Sequence, residues 1–125
     1  KVMAYDYDLE TATISNPRIA VSMPHSLAFP DGMTSDEEGM IWVAVWNGSA
    51  ITRWNPKTGK LLETIRIPAT RTTSCVFGGD DLQDLYITSA RIGLEEKILA
   101  KEPYAGGLFI LNTNVRGLPT YAFGG

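Results

Sequence analysis

The run Pro30-Asp31-Gly32-Met33 sets one carboxylate between a residue with a locked φ and a residue with no Cβ. That pairing predicts a tight turn in which Gly32 takes a positive φ and Asp31 is held at a strand mouth. A carboxylate so placed can ligate a hard cation or take a proton from water. It can equally be an ordinary turn aspartate, and alone it is half of an active site.

Other residues of chemical type are read against the same standard. His25, in Pro24-His25-Ser26-Leu27-Ala28-Phe29, is the single histidine. With no Gly-x-Ser-x-Gly elbow and no zinc-type pair of histidines it reads as a solvated loop residue, or as part of a lid. Asp36-Glu37-Glu38-Gly39 lacks the ligand spacing of an EF-hand and reads as a turn between strands. Cys75 is the only cysteine, set in Ser74-Cys75-Val76-Phe77, so no intrachain disulfide forms and a buried free thiol is expected. That points to a cytoplasmic setting.

These side chains need a scaffold, and 125 residues with 44% hydrophobic content suffice for one modest core. A net charge of −3 with no basic stripe excludes the electrostatic footprint of nucleic-acid binding. No apolar run approaches the roughly 20 residues of a membrane helix, and the first residues lack a secretory apolar segment. No membrane partner is expected.

Short β-type runs are separated by Gly, Asn, Asp and Pro. Strands are predicted at Val2–Tyr7, Ile19–Met23, Met33–Ser35, Ile41–Trp46, Ala50–Trp54, Leu61–Ile67, Thr73–Phe77, Leu85–Ser89, Leu108–Leu111 and Thr120–Phe123. Leu94–Lys101 is the exception: good helix formers place Leu94 and Ile98 one turn apart, with Pro103 beyond, predicting a short helix in a loop.

The runs also repeat. Tyr7–Ile14 aligns with Trp54–Leu61, Asp31-Gly32-Met33 with Thr73-Ser74-Cys75, and Ile41-Trp42-Val43 with Leu85-Tyr86-Ile87. Spacings in the forties with four short strands per unit indicate β-propeller blades. The expected organisation is the end of one blade over 1–23, a second over 30–68, and a third over 72–123 with a helical insertion near 92–105. That makes about two and a half blades. A propeller needs roughly 4 to 8 to close, so a piece of a longer protein, or assembly of two or more copies, is expected.

Pro30-Asp31-Gly32-Met33, Ile41-Trp42-Val43-Ala44, Trp46-Asn47-Gly48, Pro56-Lys57-Thr58-Gly59-Lys60, Thr72–Gly79 and Tyr104-Ala105-Gly106-Gly107-Leu108-Phe109 occur in one order along nearly the whole chain. In that colinearity the chain resembles the C-terminal half of the regucalcin (senescence marker protein) and gluconolactonase family. The resemblance implies a six-bladed propeller with one divalent cation, Ca²⁺, Zn²⁺ or Mn²⁺, in its central channel and hydrolysis of sugar lactones. It implies that Asp31 is a metal ligand and candidate acid/base group. The family's other ligands, a Glu and an Asn, have no counterpart here.

Thr73 is the repeat counterpart of Asp31, so its hydroxyl either meets substrate at the channel mouth or bonds backbone at a strand start. Trp46 either walls a sugar pocket or packs between blades, while Trp42 and Trp54 are assigned to packing. Three functions stay open: part of a metal-dependent lactonase or esterase, inactive as an isolated chain; a non-catalytic calcium- or ligand-binding propeller; and a self-associating half-propeller. Its expected partners are a small sugar lactone and either missing N-terminal blades or a second copy.

Overall fold

The computed structural model describes residues 1–24 and 28–124. His25 and Ser26 lie outside the described residues. The strands are β1 (Val2–Asp8), β2 (Thr13–Val21), β3 (Phe29–Ser35), β4 (Ile41–Trp46), β5 (Ala50–Asn55), β6 (Lys60–Arg66), β7 (Arg71–Gly78), β8 (Asp84–Ala90) and β9 (Leu108–Asn112). They form antiparallel sheets in the orders β1-β2, β3-β4-β5-β6 and β7-β8-β9. The chain is all-β, as its short β-type runs indicated.

The sheets form where the side chains alternate. In Ile41-Trp42-Val43-Ala44-Val45-Trp46 all four central residues are buried, because β4 is covered on both faces. Trp42 and Ala44 join Ile51, Cys75, Phe77, Leu85 and Ile87 between the second and third sheets. Val43 turns the other way, to Val2, Val21 and Trp54 against the first sheet. Trp42 and Phe77 meet edge to face at 5.6 Å, a geometry worth ~0.5–1.5 kcal/mol beyond area.

Repeated sequence produces repeated hydrogen bonds. Tyr7 pairs with Ile14 as Trp54 pairs with Leu61. Asp8 accepts from the amides of Glu10 and Thr11, and Asn55 does the same for Lys57 and Thr58. Each side chain closes its hairpin by mimicking a backbone turn.

Asp36, fully buried, holds the β3–β4 turn. Its carboxylate accepts from the amides of Glu38 and Met40, from Trp42 Nε1 at 2.8 Å and from Arg53 Nε at 2.8 Å. For Arg53, burial alone would lower the pKa, yet hydrogen bonds to Glu38 and Asp36 hold it above its ordinary value. Every oxygen is engaged, which is what makes a buried charge tolerable.

Two expectations are corrected. Thr120–Phe123 is not a strand; Tyr121 and Phe123 are almost wholly exposed. The chain instead crosses the far end of the sheets, where Gly117 bridges Asp36 and the Glu37 amide donates to the Arg116 carbonyl, so its bonds are made before residue 120. The helix expected over Leu94–Lys101 contracts to α1 (Glu96–Leu99), one turn with no buried residue. With no apolar face to dock, propensity alone does not extend it. No helix among the described residues is long and apolar enough to cross a membrane.

Cys75 is a buried free thiol, donating from Sγ to the Trp42 carbonyl. Burial pushes it up from 9.0 to about 12, against a smaller opposing pull from the Thr34 backbone. The unfolded thiol therefore ionises first, and this contribution to stability, intact below 9.0, is lost as pH rises toward about 12. Near pH ~8 an aromatic disulfide reagent is expected to label Cys75 only in denaturant, because the thiolate is the reacting species. Labelling of the native protein at the denatured rate would refute the assignment.

Candidate functional site

The inner strand of the second sheet, the edge strand β3 that packs against β7, carries Asp31 in a bulge. Pairing runs from Pro30 opposite Val45 to Met33 opposite Val43, so β3 advances three residues while β4 advances two. In the third sheet, pairing runs from Thr72 opposite Ser89 to Ser74 opposite Thr88, again one residue in excess on the inner strand. The extra residue there is Thr73. Both repeats thus break their ladder at equivalent places, where bulges commonly re-aim a side chain.

This corrects the reading of Gly32. It sits within β3, not in a tight turn, and is absent from the positive-φ glycines. Its missing Cβ serves a close approach instead. A Cβ there would lie 2.5 Å from Ser74 Cβ and 2.8 Å from Ser74 Cα, and nearer still to its Oγ. Glycine lets the two inner strands meet.

The sequence-derived residues gather by topology at one end of the sheets: the start of β3 and β7 and the end of β4 and β8. Asp31 is exposed; Trp46, paired with Phe29, is half-buried. Thr73 is also half-buried, its hydroxyl 2.7 Å from that of Thr88.

Sequence reasoning missed Arg71. Its guanidinium lies over the Trp46 ring at 4.8 Å, a cation–π distance, and its Nε donates to Asn47 Oδ1 at 3.1 Å. Its remaining nitrogens donate to the carbonyls of Ile92 and Gly93. Gly93 has φ of +66°, and a Cβ there would lie 2.9 Å from Arg71 Nη1. A basic residue before a strand announces none of this; only the spatial meeting of three segments does.

Beside Arg71, Thr72 is fully buried, and its hydroxyl accepts from the Val45 amide while lying within donating distance of the Val45 and Ala50 carbonyls. Thr70 donates from both its amide and its hydroxyl to the Glu102 carboxylate. A cavity of about 660 Å³ opens between Pro68, Arg91 and Tyr104, and Asp31 does not line it.

Ca²⁺ usually takes about 6 to 8 oxygens, and a catalytic Zn²⁺ about three protein ligands. No group of three or more His, Cys, Asp or Glu side chains stands together among the described residues. Asp31 offers one carboxylate, so the described residues do not by themselves fit such an ion.

The model for the SMP-30/gluconolactonase/LRE-like region matches residues 1–91. The chain is 48% identical to the regucalcin of Danio rerio and 43% identical to that of Homo sapiens, covering 99% of this chain and 42% of each relative. Among solved structures, a luciferin-regenerating enzyme superposes with a TM-score of 0.81 at 37% identity, covering 93% of this chain and 39% of that one. A calcium-binding protein, regucalcin, from Agrobacterium tumefaciens superposes with a TM-score of 0.85 at 28% identity, covering 97% and 42%. The chain spans 42% of the length of each of these regucalcins, a share that does not carry the expected placement as a C-terminal half.

The close approach at Gly32 carries a test. Gly32→Ala is expected to destabilise the protein by ~1–3 kcal/mol, the usual range for overpacking. Adding Ser74→Gly should restore part of that loss in denaturant unfolding, because Ser74 Cβ and Oγ leave while its Cα stays 2.8 Å away. Strictly additive losses would mean that the two positions do not collide.

Proposed function

The chain belongs to the SMP-30/gluconolactonase/LRE-like family, and from that premise we propose that it is part of a divalent-metal-dependent lactonase acting on a sugar lactone. The observation that carries this reading is the exposed carboxylate of Asp31 on the bulge of an inner strand. A lactone is opened by water, and a carboxylate at hydrogen-bond reach of that water takes its proton as the carbonyl is attacked. Asp31 is the group with the charge and exposure for that task.

The proposed setting is a closed propeller of about six blades, of which the present sheets are a part. Val76, Leu108 and Ile110 are between 45% and 60% exposed on the outer face of β7-β8-β9. That face suits contact with the next blade of a longer chain, or with a second copy. A single divalent cation, Ca²⁺, Zn²⁺ or Mn²⁺, belongs to the proposed complete centre, with Asp31 as one ligand among groups supplied from elsewhere. Thr73 and Trp46 are proposed to face the sugar, and a reducing, cytoplasmic setting agrees with the unpaired thiol of Cys75.

A second reading is supported by the description of one solved relative as a calcium-binding protein. In it the cation is stored and no bond is hydrolysed.

Asp31→Ala in the full-length protein separates the two. Under the first reading lactone turnover falls by roughly 10²–10⁴ while the unfolding midpoint is nearly unchanged, as expected for loss of a general base. Turnover that persists with metal still bound would sink the assignment. Calcium binding that Asp31→Ala abolishes, in a parent protein that hydrolyses no lactone, would select the second reading.

A further inference from the structure

Residues 91–107 leave the end of β8 and return at the start of β9, at the same end as Asp31, Trp46 and Thr73. Their only helix is the single turn of α1, and this turn buries nothing. Apolar packing fixes the segment at one buried residue, Ala105. Polar tethers hold the rest, most of them from the adjacent residues Thr70 and Arg71.

Arg71 grips the outgoing leg through the carbonyls of Ile92 and Gly93. Thr70 grips the returning leg, its amide donating to Glu102 Oε2 at 2.8 Å and its hydroxyl to Oε1. A third attachment joins Ser89, whose hydroxyl donates to the Gly107 carbonyl at 2.8 Å and accepts from the Gly106 amide at 3.0 Å. The guanidinium that holds the outgoing leg also covers the Trp46 ring and binds Asn47. One side chain therefore fixes both the strap and the aromatic residue at the end of β4.

We propose that residues 91–107 are a strap tethered by Arg71 and Glu102, and that Arg71 is a positioning residue setting Trp46 and the strap as one wall of the sugar-lactone cleft beside Asp31. This rests on the lactonase reading for its substrate, though not for the strap itself. Arg71 has its hydrogen-bonding nitrogens committed to Asn47 and the strap. It therefore shapes the fit of substrate through Trp46 and leaves the proton transfer to Asp31. Lysine cannot replace it, because an ammonium lacks the planar fork that reaches two carbonyls and an amide together.

The test uses full-length protein carrying Arg71→Ala, Arg71→Lys or Glu102→Gln. The exposed Lys97 and Lys101 in the strap are reporters for trypsin. Cleavage after them is expected to rise roughly ten-fold in Arg71→Ala and Glu102→Gln, as local opening becomes easier. Arg71→Lys should fall between. With D-glucono-δ-lactone as probe, Arg71→Ala should raise KM several-fold while kcat stays within about two-fold, the signature of lost ground-state fit. Unchanged tryptic cleavage in Arg71→Ala would overturn the strap, and a fall in kcat at constant KM would overturn the positioning role. Absence of lactone turnover in the unmodified protein would instead overturn the lactonase reading, and the cleavage assay would still decide the strap.

Discussion

The Thr72 hydroxyl crosses from the third sheet into the second, where it engages the Val45 amide and lies beside the Val45 and Ala50 carbonyls. Those backbone groups lie at the ends of β4 and β5, where the second sheet's own ladder runs out. Without that hydroxyl the Val45 amide would lose its cross-sheet acceptor in a fully buried place, a loss on the order of 1–3 kcal/mol. The stitch also sets geometry. On either side of Thr72 the attachments continue: Arg71 lies over Trp46, Thr70 donates to Glu102, and Thr73 meets Thr88. Four consecutive residues thus divide four attachments among themselves.

A second constraint acts within the same contact. The inner strands approach so closely at Gly32 and Ser74 that position 32 has no room for a Cβ. Close approach and the Thr72 stitch reinforce one another, since each limits the sliding that the other would permit. The core beneath is continuous, from Trp42 to Phe77 and Ile87. Asp36 closes the opposite end of the second sheet through Trp42 and Arg53. The face that carries Asp31 is therefore held from below by packing and from the side by hydrogen bonds.

Much of this was legible in the sequence because repeats carry register. The alignment of Tyr7–Ile14 with Trp54–Leu61 anticipated strand pairs that recur residue for residue. The equivalence of Asp31 and Thr73 anticipated a shared local geometry, although the motif suggested a glycine turn where the strand has a bulge. Pro-Asp-Gly is a turn signal when read locally. In β3 the pull of the ladder on both sides wins, and the glycine answers to a neighbour 42 positions away, which local rules cannot see. The same blindness hid Arg71, whose partners Trp46, Asn47, Ile92 and Gly93 lie in separate segments. Thr120–Phe123 failed for the opposite reason: its composition suits a strand, but no strand among the described residues pairs with it.

Repetition also tells where chemistry is to be sought. Two equivalent bulges present Asp31 in one sheet and Thr73 in the next, so the backbone irregularity is common property of the repeat and the side chain is not. If the bulge were only a device for twisting the inner strand, small or neutral residues would serve both places. A carboxylate in one of them adds charge without adding any twist, and Asp31 is exposed to solvent. Its neighbour Thr73 offers a neutral hydroxyl already in contact with Thr88. The pair therefore divides as charge and dipole: Asp31 offers a carboxylate able to take a proton, Thr73 a neutral hydroxyl. No group of three or more His, Cys, Asp or Glu side chains forms among the described residues. A site built on Asp31 must draw its remaining groups from beyond these residues. The strap and its Arg71 anchor then acquire a reason to be rigid, because a wall shared with groups from elsewhere must already be in place when they arrive.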